Sequence, residues 1–432
     1  MSAGSTPLRG ASPAPVVHPF RLAGLLALLA MFGPFAIDTL FPAFPAVARD
    51  LGTTAFAMQQ TLSVYIVAYG VMALLHGPLS DAYGRRVVIL SGVAVFTLAS
   101  IGCAFASSIG ELLTFRALQG LSAGAGLIVG RAMVRDCFEG AQAQRVMSLI
   151  SLIFGVAPAL APIVGGAIFV RWGWHAIFVF LAGYAALLWV LCAFALRETH
   201  PPASRLPLQA GALGSVYRSI VHDRGYLLLA IAGGLNFGAL FLYISSAPLI
   251  VLEQWHLGAT DFGWLFVPIV IGMMLGSATS ARVAGRLSQA QTATLGFSVM
   301  CVGVLLNLLY AFVVQEPWPP WAILPTALTA FGISCTFPAM TLLMLDRHPH
   351  QRGAASSLQA VIWSALNAVI AGLIAPAIGR YPQWQAVTAA VFVATGLACW
   401  LRYRTRHHPA DDMDPWHSTV EVSAVNPVAE TL

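Results

Sequence analysis

Two ionisable residues lie inside long apolar segments of this sequence. Asp38 stands in FGPFAIDTLFPAFP (32–45) and Arg116 stands in LLTFRALQG (112–120). A charged side chain at the centre of a bilayer costs about 2.5 to 3.5 kcal/mol on insertion scales, so each residue needs a partner or a function. Burial favours a neutral carboxyl group, whereas a nearby guanidinium favours the charged form. We expect Asp38 to lie beside Arg116 and to exchange a proton as its surroundings change; a permanent ion pair that only joins two helices is the alternative.

A second group of charged residues separates two apolar runs, in GPLSDAYGRR (77–86). Gly77 and Gly84 permit close helix approach and a left-handed turn. Arg85 and Arg86 suit the cytoplasmic side of a membrane. That preference does not explain Asp81, which needs an arginine or a helix N-terminus as its partner, unless it is simply a solvated loop charge. The segment predicts a tight cytoplasmic turn.

Prolines and glycines are concentrated in a third segment, FGVAPALAPIVGGAI (154–168). Pro158 and Pro162 remove backbone hydrogen bonds from a helix, and Gly165 and Gly166 let a neighbouring helix approach closely. We therefore expect a kinked and closely packed helix here. The alternative is that the glycines serve packing alone.

Aromatic and amide side chains within the apolar segments are candidates for lining a substrate cavity. Aromatic rings can stack on a flat apolar ligand, and an amide inside a membrane needs a hydrogen-bond partner. Alternatively, the rings face lipid or other helices and the amides bridge helices. The candidates are Phe35, Tyr65, Tyr69, Gln119, Asn236, Tyr243, Trp264, Phe266, Trp363 and Asn367.

The remaining reactive side chains do not suggest an enzyme. His76 could titrate near neutral pH, but its place beside the arginine-rich turn favours an interfacial histidine. The six cysteines lack metal-ligand spacing, and neither a phosphate-binding loop nor a nucleophile triad occurs. We expect no catalysis, no bound metal or cofactor, and the proton gradient rather than ATP as the energy source.

The composition indicates an all-α membrane protein. Hydrophobic residues make up 58% of the 432 residues and charged residues 9%, with a mean hydropathy of +0.79, whereas soluble domains have about 25% charged residues. The apolar runs are continuous and long enough for helices of roughly 20 residues, and they lack the alternation of a membrane barrel. We predict twelve transmembrane helices at 22–44, 56–78, 87–107, 111–134, 143–169, 174–196, 226–252, 262–284, 291–314, 320–345, 353–379 and 384–402.

The arginines and the polar breaks predict how these helices are arranged. With a cytoplasmic N-terminus, eighteen arginines fall on the cytoplasmic side and three on the other, so both termini are predicted to be cytoplasmic. The longest polar break separates two groups of six helices, a pattern typical of a transporter with its substrate site at mid-bilayer. The predicted regions are a disordered cytoplasmic leader (1–19), an N-terminal bundle (20–196), a cytoplasmic linker (197–225), a C-terminal bundle (226–403) and a cytoplasmic tail (404–432).

Three of these motifs resemble those of a known transporter family. GPLSDAYGRR resembles the signature loop of the major facilitator superfamily, with Ala82 where the family usually has Arg. IDTLFPAFPAVARDLG (37–52) resembles the first-helix signature of the bicyclomycin and chloramphenicol resistance (Bcr/CflA) exporters, with Leu40 in place of Tyr. The end of segment 154–168 is similar to the antiporter motif of the superfamily, with Ala161 in place of Gly. The resemblance covers about residues 20–400.

This resemblance implies a fold, a place and a function. The expected fold is that of the major facilitator superfamily, in a bacterial inner membrane, with Asp81 near RGAASS (352–357) as a latch between the halves. We expect a monomeric, proton-coupled exporter of small hydrophobic drugs, neutral or weakly charged and similar to amphenicols or bicyclomycin, with no nucleic-acid partner. The alternatives are a proton-coupled exporter or importer of a physiological metabolite and a non-transporting membrane sensor.

Overall fold

The structure is a computed structural model that describes residues 19–138, 140–205 and 210–406. The predicted leader before Pro19 and the predicted tail beyond Arg406 lie outside the described residues. The described part forms helices and contains no β-strand, and twelve helices are long and apolar enough to cross a membrane. They are α1 (Leu22–Asp50), α2 (Ala55–Tyr83), α3 (Arg85–Ala104), α4 (Ile109–Cys137), α5 (Gln142–Trp172), α6 (Trp174–Ala195), α7 (Arg224–Ser245), α8 (Gly263–Val283), α9 (Gln289–Val313), α10 (Leu324–Asp346), α11 (Arg352–Ile378) and α12 (Pro382–Arg406).

These helices agree with the predicted spans within a few residues at most ends. The main exceptions are α1, which continues to Asp50, and α7, which ends at Ser245 before a separate turn at Leu249–Gln254. Proline fits the early end of α7, because it lacks a backbone donor and interrupts a regular helix, whereas α1 resumes as a helix after its proline. Pro42 falls in a short 3₁₀ turn within α1, and Pro248 follows the end of α7.

The helices form two halves, α1–α6 and α7–α12, joined by a linker that contains the helix Ala210–His222, called here the linker helix. Glycine allows close packing within each half: a Cβ atom at Gly120 or Gly272 would overlap a backbone oxygen of the neighbouring helix. We call the end of the molecule that carries the linker the linker end. The opposite end, which includes loop 246–262, is the far end.

The two halves are bonded to each other near the far end. Three side chains of α2 form a seam with the other half: Gln59 Nε2 donates to Ser245 O (3.1 Å), Gln60 Nε2 to Gly372 O (2.8 Å) and Ser63 Oγ to Ala368 O (2.9 Å). The rings of Phe41 and Phe266 also stack across the halves, with centroids 6.2 Å apart. At the linker end, the hydrogen bonds and ion pairs of the described residues stay within one half or involve the linker. The interface is therefore closed at the far end.

Candidate functional site

Asp38 lies at a break in α1. The helical segment Phe32–Asp38 ends there, a 3₁₀ turn follows at Phe41–Ala43, and an α-helix resumes at Phe44–Asp50. Since a helix end leaves carbonyl oxygens without intrahelical donors, other groups must satisfy them. Thr39 satisfies the carbonyl oxygen of Phe35, to which both its backbone N (3.4 Å) and its Oγ1 (2.5 Å) donate. Asp38 is 4% exposed, so the break places a carboxyl group in the interior of the protein.

Arg116 of α4 binds to this break from the side. Its Nη1 donates to Ala36 O and to Gln119 Oε1, both at 2.8 Å, and its Nε donates to Thr61 O at 3.3 Å. The guanidinium also lies over the Tyr65 ring, 4.6 Å from the ring centroid. Arg116 is thus held by neutral groups of α1, α2 and α4 while being 1% exposed.

The predicted direct pairing of Asp38 with Arg116 is wrong for this conformation. No salt bridge within 4.0 Å and no hydrogen bond joins the Asp38 side chain to any residue that the structure describes. The reason is that the break exposes Ala36 O, which takes a guanidinium donor two residues before Asp38. Arg116 therefore bonds to α1 two residues before Asp38, but the Asp38 carboxyl group has no bonded partner among the described residues.

The glycines of α5 connect the break to the other half. A Cβ atom at Gly165 would overlap Thr39 O, one residue after Asp38. A Cβ atom at Gly166 would overlap Ala259 O in the far-end loop of the second half. The close packing indicated by the sequence is therefore present, and Pro158 and Pro162 lie inside the same helix.

The tight turn predicted at 77–86 is shorter in the structure, because α2 continues to Tyr83 and α3 begins at Arg85, so the two helices are joined at Gly84. This short turn is built around Arg85. Gly84 has a positive φ of 102°, which allows α3 to begin immediately after α2. Arg85 Nη1 donates to Asp81 Oδ1 at 2.5 Å, and Arg85 Nε donates to Asp136 Oδ2 at 3.1 Å. The expected approach of Asp81 to residues 352–357 is not formed: Asp81 bonds within its own turn and its side chain is 42% exposed. The two halves are not bonded to each other at this end, which accounts for the difference.

Glu198, at the start of the linker, was not predicted as part of this turn. Its Oε1 accepts from Arg85 N at 2.9 Å and its Oε2 from Arg86 N at 3.2 Å, so it caps the N-terminus of α3. A Cβ atom at Gly84 would lie 2.5 Å from Glu198 Oε2, which explains why glycine is needed here. One feature of the sequence could have identified Glu198: it is an isolated acid after the sixth span, and such an acid needs a basic partner or a helix N-terminus.

The predicted cavity residues of the first half mostly contact neighbouring side chains of that half. Phe35 stacks on Tyr184, with centroids 5.8 Å apart, and Tyr65 packs against Arg116. Gln119 is 0% exposed and bonds to Arg116 and to Ser100 Oγ. Tyr69 is half-buried. Gln119 is better explained as a residue that positions Arg116.

The predicted residues of the second half do not lie in a single site. Asn236 and Trp363 line one groove together with Phe337, Met340 and Gln359. Asn236 is buried with no hydrogen-bond partner for its amide among the described residues, and the same holds for Asn367 Oδ1. The others lie apart: Tyr243 accepts a hydrogen bond from Asn307 Nδ2 (2.5 Å), Phe266 packs at the seam, and Trp264 is 51% exposed near the far end.

His76, predicted to be an interfacial histidine, is buried between helices. His76 is 2% exposed, and its ring lies against α4, where a Cβ atom at Gly124 would be 3.0 Å from His76 Nδ1. Glycine on the neighbouring helix leaves room for the ring, and the sequence around His76 alone does not reveal this pairing.

Comparison with known proteins agrees with this architecture. A sequence model of the Major Facilitator Superfamily matches residues 26–365 and 229–420. The chain is 31% identical to an uncharacterized MFS-type transporter, YdgK, of Bacillus subtilis over 82% of this chain and 88% of that protein. It is 30% identical to multidrug resistance protein D of Escherichia coli (88% and 95% covered) and 28% identical to a chloramphenicol resistance protein of Pseudomonas aeruginosa (88% and 91%).

Solved structures share the fold at lower sequence identity. The crystal structure of the human organic anion transporter MFSD10 aligns with a TM-score of 0.67 at 17% identity, covering 89% of this chain and 99% of that one. A bacterial homologue of the lysosomal transporter Spinster, in an inward-facing and unoccupied conformation, aligns with a TM-score of 0.68 at 16% identity (92% and 98%). The sequence match, the twelve helices and the two six-helix halves together place the chain in the Major Facilitator Superfamily, among relatives of the bicyclomycin and chloramphenicol resistance proteins.

Proposed function

We propose that this protein is a proton-coupled exporter of small hydrophobic drugs, neutral or weakly charged. The observation that carries the proposal is Asp38: a buried carboxyl group without a bonded partner, at a helix break held by Arg116. The relatives support the substrate class, because several are named for resistance to chloramphenicol, bicyclomycin or multiple drugs. No bound cofactor is part of the proposal, and the proton gradient supplies the energy.

Asp38 carries its proton in this conformation. An ionised carboxylate in a buried site costs several kcal/mol unless it is paired, and Asp38 has no bonded partner among the described residues. Arg116 can tolerate this state, since its donors are bound to Ala36 O, Thr61 O and Gln119. Transfer of one of those donors from Ala36 O to Asp38 would stabilise the ionised form.

The proposed cycle couples this change to the two halves. In the described conformation, closed at the far end, Asp38 releases its proton toward the linker end as substrate arrives. The halves then part at the far end, where a proton returns to Asp38 and favours release of the substrate. The glycines Gly165 and Gly166 provide a physical link, because adjacent residues of α5 pack on Thr39 and on the far-end loop of the other half.

The direction of transport follows from the proposed orientation. The arginine distribution favours a cytoplasmic linker end, and the bacterial relatives support an inner-membrane location. Inward movement of one proton then releases about 2.3 kcal/mol per 100 mV of membrane potential. Since about 1.4 kcal/mol corresponds to a tenfold concentration ratio, one proton can drive more than tenfold accumulation of a neutral drug outside the cell.

Asp38→Asn tests this function directly. In proteoliposomes with an imposed pH gradient, wild type should transport chloramphenicol and Asp38→Asn should show no gradient-driven transport, because the amide cannot release a proton. Asp346→Asn is the matched control, since Asp346 pairs with Arg352 at an exposed site and should transport like wild type. Equal gradient-driven transport by Asp38→Asn would refute the proton site, and drug susceptibility of an exporter-deficient host gives the same comparison in cells.

A further inference from the structure

A cavity of about 510 Å³ lies at the far end, beyond the seam. Both halves line it: α1 and the start of α2 on one side, and the turn after α7 and the end of α11 on the other. Gln59, which forms part of the seam, also lines the cavity. The cavity is therefore separated from the Asp38 site by the seam and exists while the far end is closed.

The size and lining of the cavity suit a small organic molecule. Pockets for such ligands measure about 300 to 1,000 Å³ and have mostly apolar walls with a few polar groups. Apolar contacts here come from both halves, including Phe44, Phe56 and Met58 of the first and Leu249 and Leu373 of the second. A molecule in this space would touch both halves at once.

The polar groups of the cavity select for a neutral molecule that carries a hydrogen-bond donor. Its two charged residues neutralise each other, because Arg380 Nε donates to Glu253 Oε2 at 2.8 Å. Gln59 is 3% exposed, its Nε2 donates to Ser245 O, and its Oε1 has no partner among the described residues. That oxygen is itself buried, so a hydroxyl or an amide N–H on the ligand would bond to it once the Gln59 side chain turns toward the cavity, and the bond would offset a burial cost of about 1 to 3 kcal/mol.

We propose that the far-end cavity is a second site for the exported compound, occupied from the side to which that compound is released. The occupant is a small neutral molecule with an apolar body and a hydroxyl or N–H donor. This molecule bridges the halves and must leave before the far end can open. The released compound therefore holds the protein closed at that end and inhibits its own export. The substrate class rests on the proposed function, whereas the binding site itself does not depend on proton coupling.

Binding of radiolabelled chloramphenicol to the purified full-length protein tests this site. Ala377→Trp places a large side chain in the cavity at an exposed position, and Gln59→Met removes the unpartnered oxygen together with the seam donor Nε2 at similar size. We expect two classes of binding site in wild type, loss of one class in Ala377→Trp, and roughly three- to tenfold weaker binding to that class in Gln59→Met. The control is Ala195→Trp, an exposed substitution at the end of α6 near the linker, which should bind like wild type.

A second measurement examines the inhibition. Chloramphenicol on the far-end side of proteoliposomes should slow the initial rate of wild type, and Ala377→Trp should relieve this slowing. Binding of a single class in wild type, or two unchanged classes in both cavity variants, would overturn the inference. Loss of one class in the cavity variants together with gradient-driven transport in Asp38→Asn would leave the site standing and refute the proposed proton coupling.

Discussion

At the scale of single residues, the acidic side chains of this protein differ in how they are paired. Asp81 and Glu198 bond to the turn at Arg85, and Asp223 bonds to Arg347 at Nε (2.6 Å) and Nη2 (2.8 Å). Asp38 alone among these four is buried without a bonded partner. Because ionised groups are stable inside a protein only when paired, this contrast supports the proposed proton exchange at Asp38.

The Asp223–Arg347 pair gives a pH-dependent prediction. Partial burial alone would raise the pKa of Asp223, but the hydrogen bonds and charge of Arg347 outweigh it and lower that pKa below its ordinary value. The pair therefore stabilises the fold above the unfolded-state pKa near 4, and this contribution is lost as the pH falls through the lowered folded-state pKa. Wild type should unfold at a higher temperature than Asp223→Asn at pH 7, and the difference should shrink below about pH 4.

Asp346→Asn is the matched control for this measurement. The Asp346–Arg352 pair is exposed, and exposed pairs contribute about 0 to 1 kcal/mol, so its removal should shift the unfolding temperature little at any pH. A difference between wild type and Asp223→Asn that stays constant from pH 7 to pH 3 would contradict the role given to the charge of Asp223.

At the scale of helices, the site depends on α1, α4 and α5. The break in α1 exposes Ala36 O, α4 supplies the arginine that binds it, and α5 supplies the glycine that packs on Thr39. Each helix is apolar enough to span a membrane, yet each carries a feature that weakens a regular helix or allows close approach. These features meet within two residues of Asp38, so the local geometry of the carboxyl group depends on all three helices.

Gly165→Ala tests the contribution of α5. The added methyl group would overlap Thr39 O, and overpacking of this kind costs about 1 to 3 kcal/mol. We expect a lower unfolding temperature in detergent and slower proton-driven transport. Gly155→Ala in the same helix is the control, since a Cβ atom there meets nothing within 4 Å. Identical behaviour of the two variants would show that contact with Thr39 is unimportant.

At the scale of the whole molecule, the two halves are joined at the far end by three hydrogen bonds of the seam and by packing of α2 on α11 and of α5 on α8. The seam uses side-chain amides and a hydroxyl that donate to backbone oxygens of the other half. Such neutral bonds are worth about 0.5 to 1.5 kcal/mol each, so the hydrogen bonds of the seam add only a few kcal/mol to the cost of opening.

A disulfide across the seam tests the need for this opening. A Cβ atom at Gly372 would lie 3.0 Å from Ser63 Cβ, slightly closer than the Cβ separation in disulfides of about 3.5 to 4.5 Å, so a small backbone shift would admit the bond. Oxidised Ser63→Cys/Gly372→Cys should lose transport, and a reducing agent should restore it. The two single variants, treated with the same oxidant, are the controls. Unchanged transport by the fully cross-linked protein would exclude opening at this seam.

The sequence by itself determined the twelve helices, the two halves and the burial of Asp38. Hydrophobicity is a local property, so a continuous apolar run of sufficient length specifies a membrane helix wherever it lies in the fold. The same locality made Asp38 identifiable, because an acid within such a run is unusual in any arrangement of helices. The family motifs at 37–52, 77–86 and 154–168 were also readable, since their residues are close together in the chain.

Only the tertiary structure decided which residues meet. Arg116 bonds to Ala36 O rather than to Asp38, Glu198 caps a helix more than a hundred residues earlier in the chain, and His76 is buried against Gly124. These pairings depend on helix rotation and on where a backbone is interrupted, and hydropathy constrains neither. The far-end cavity has the same origin, because it exists only where segments from both halves face each other.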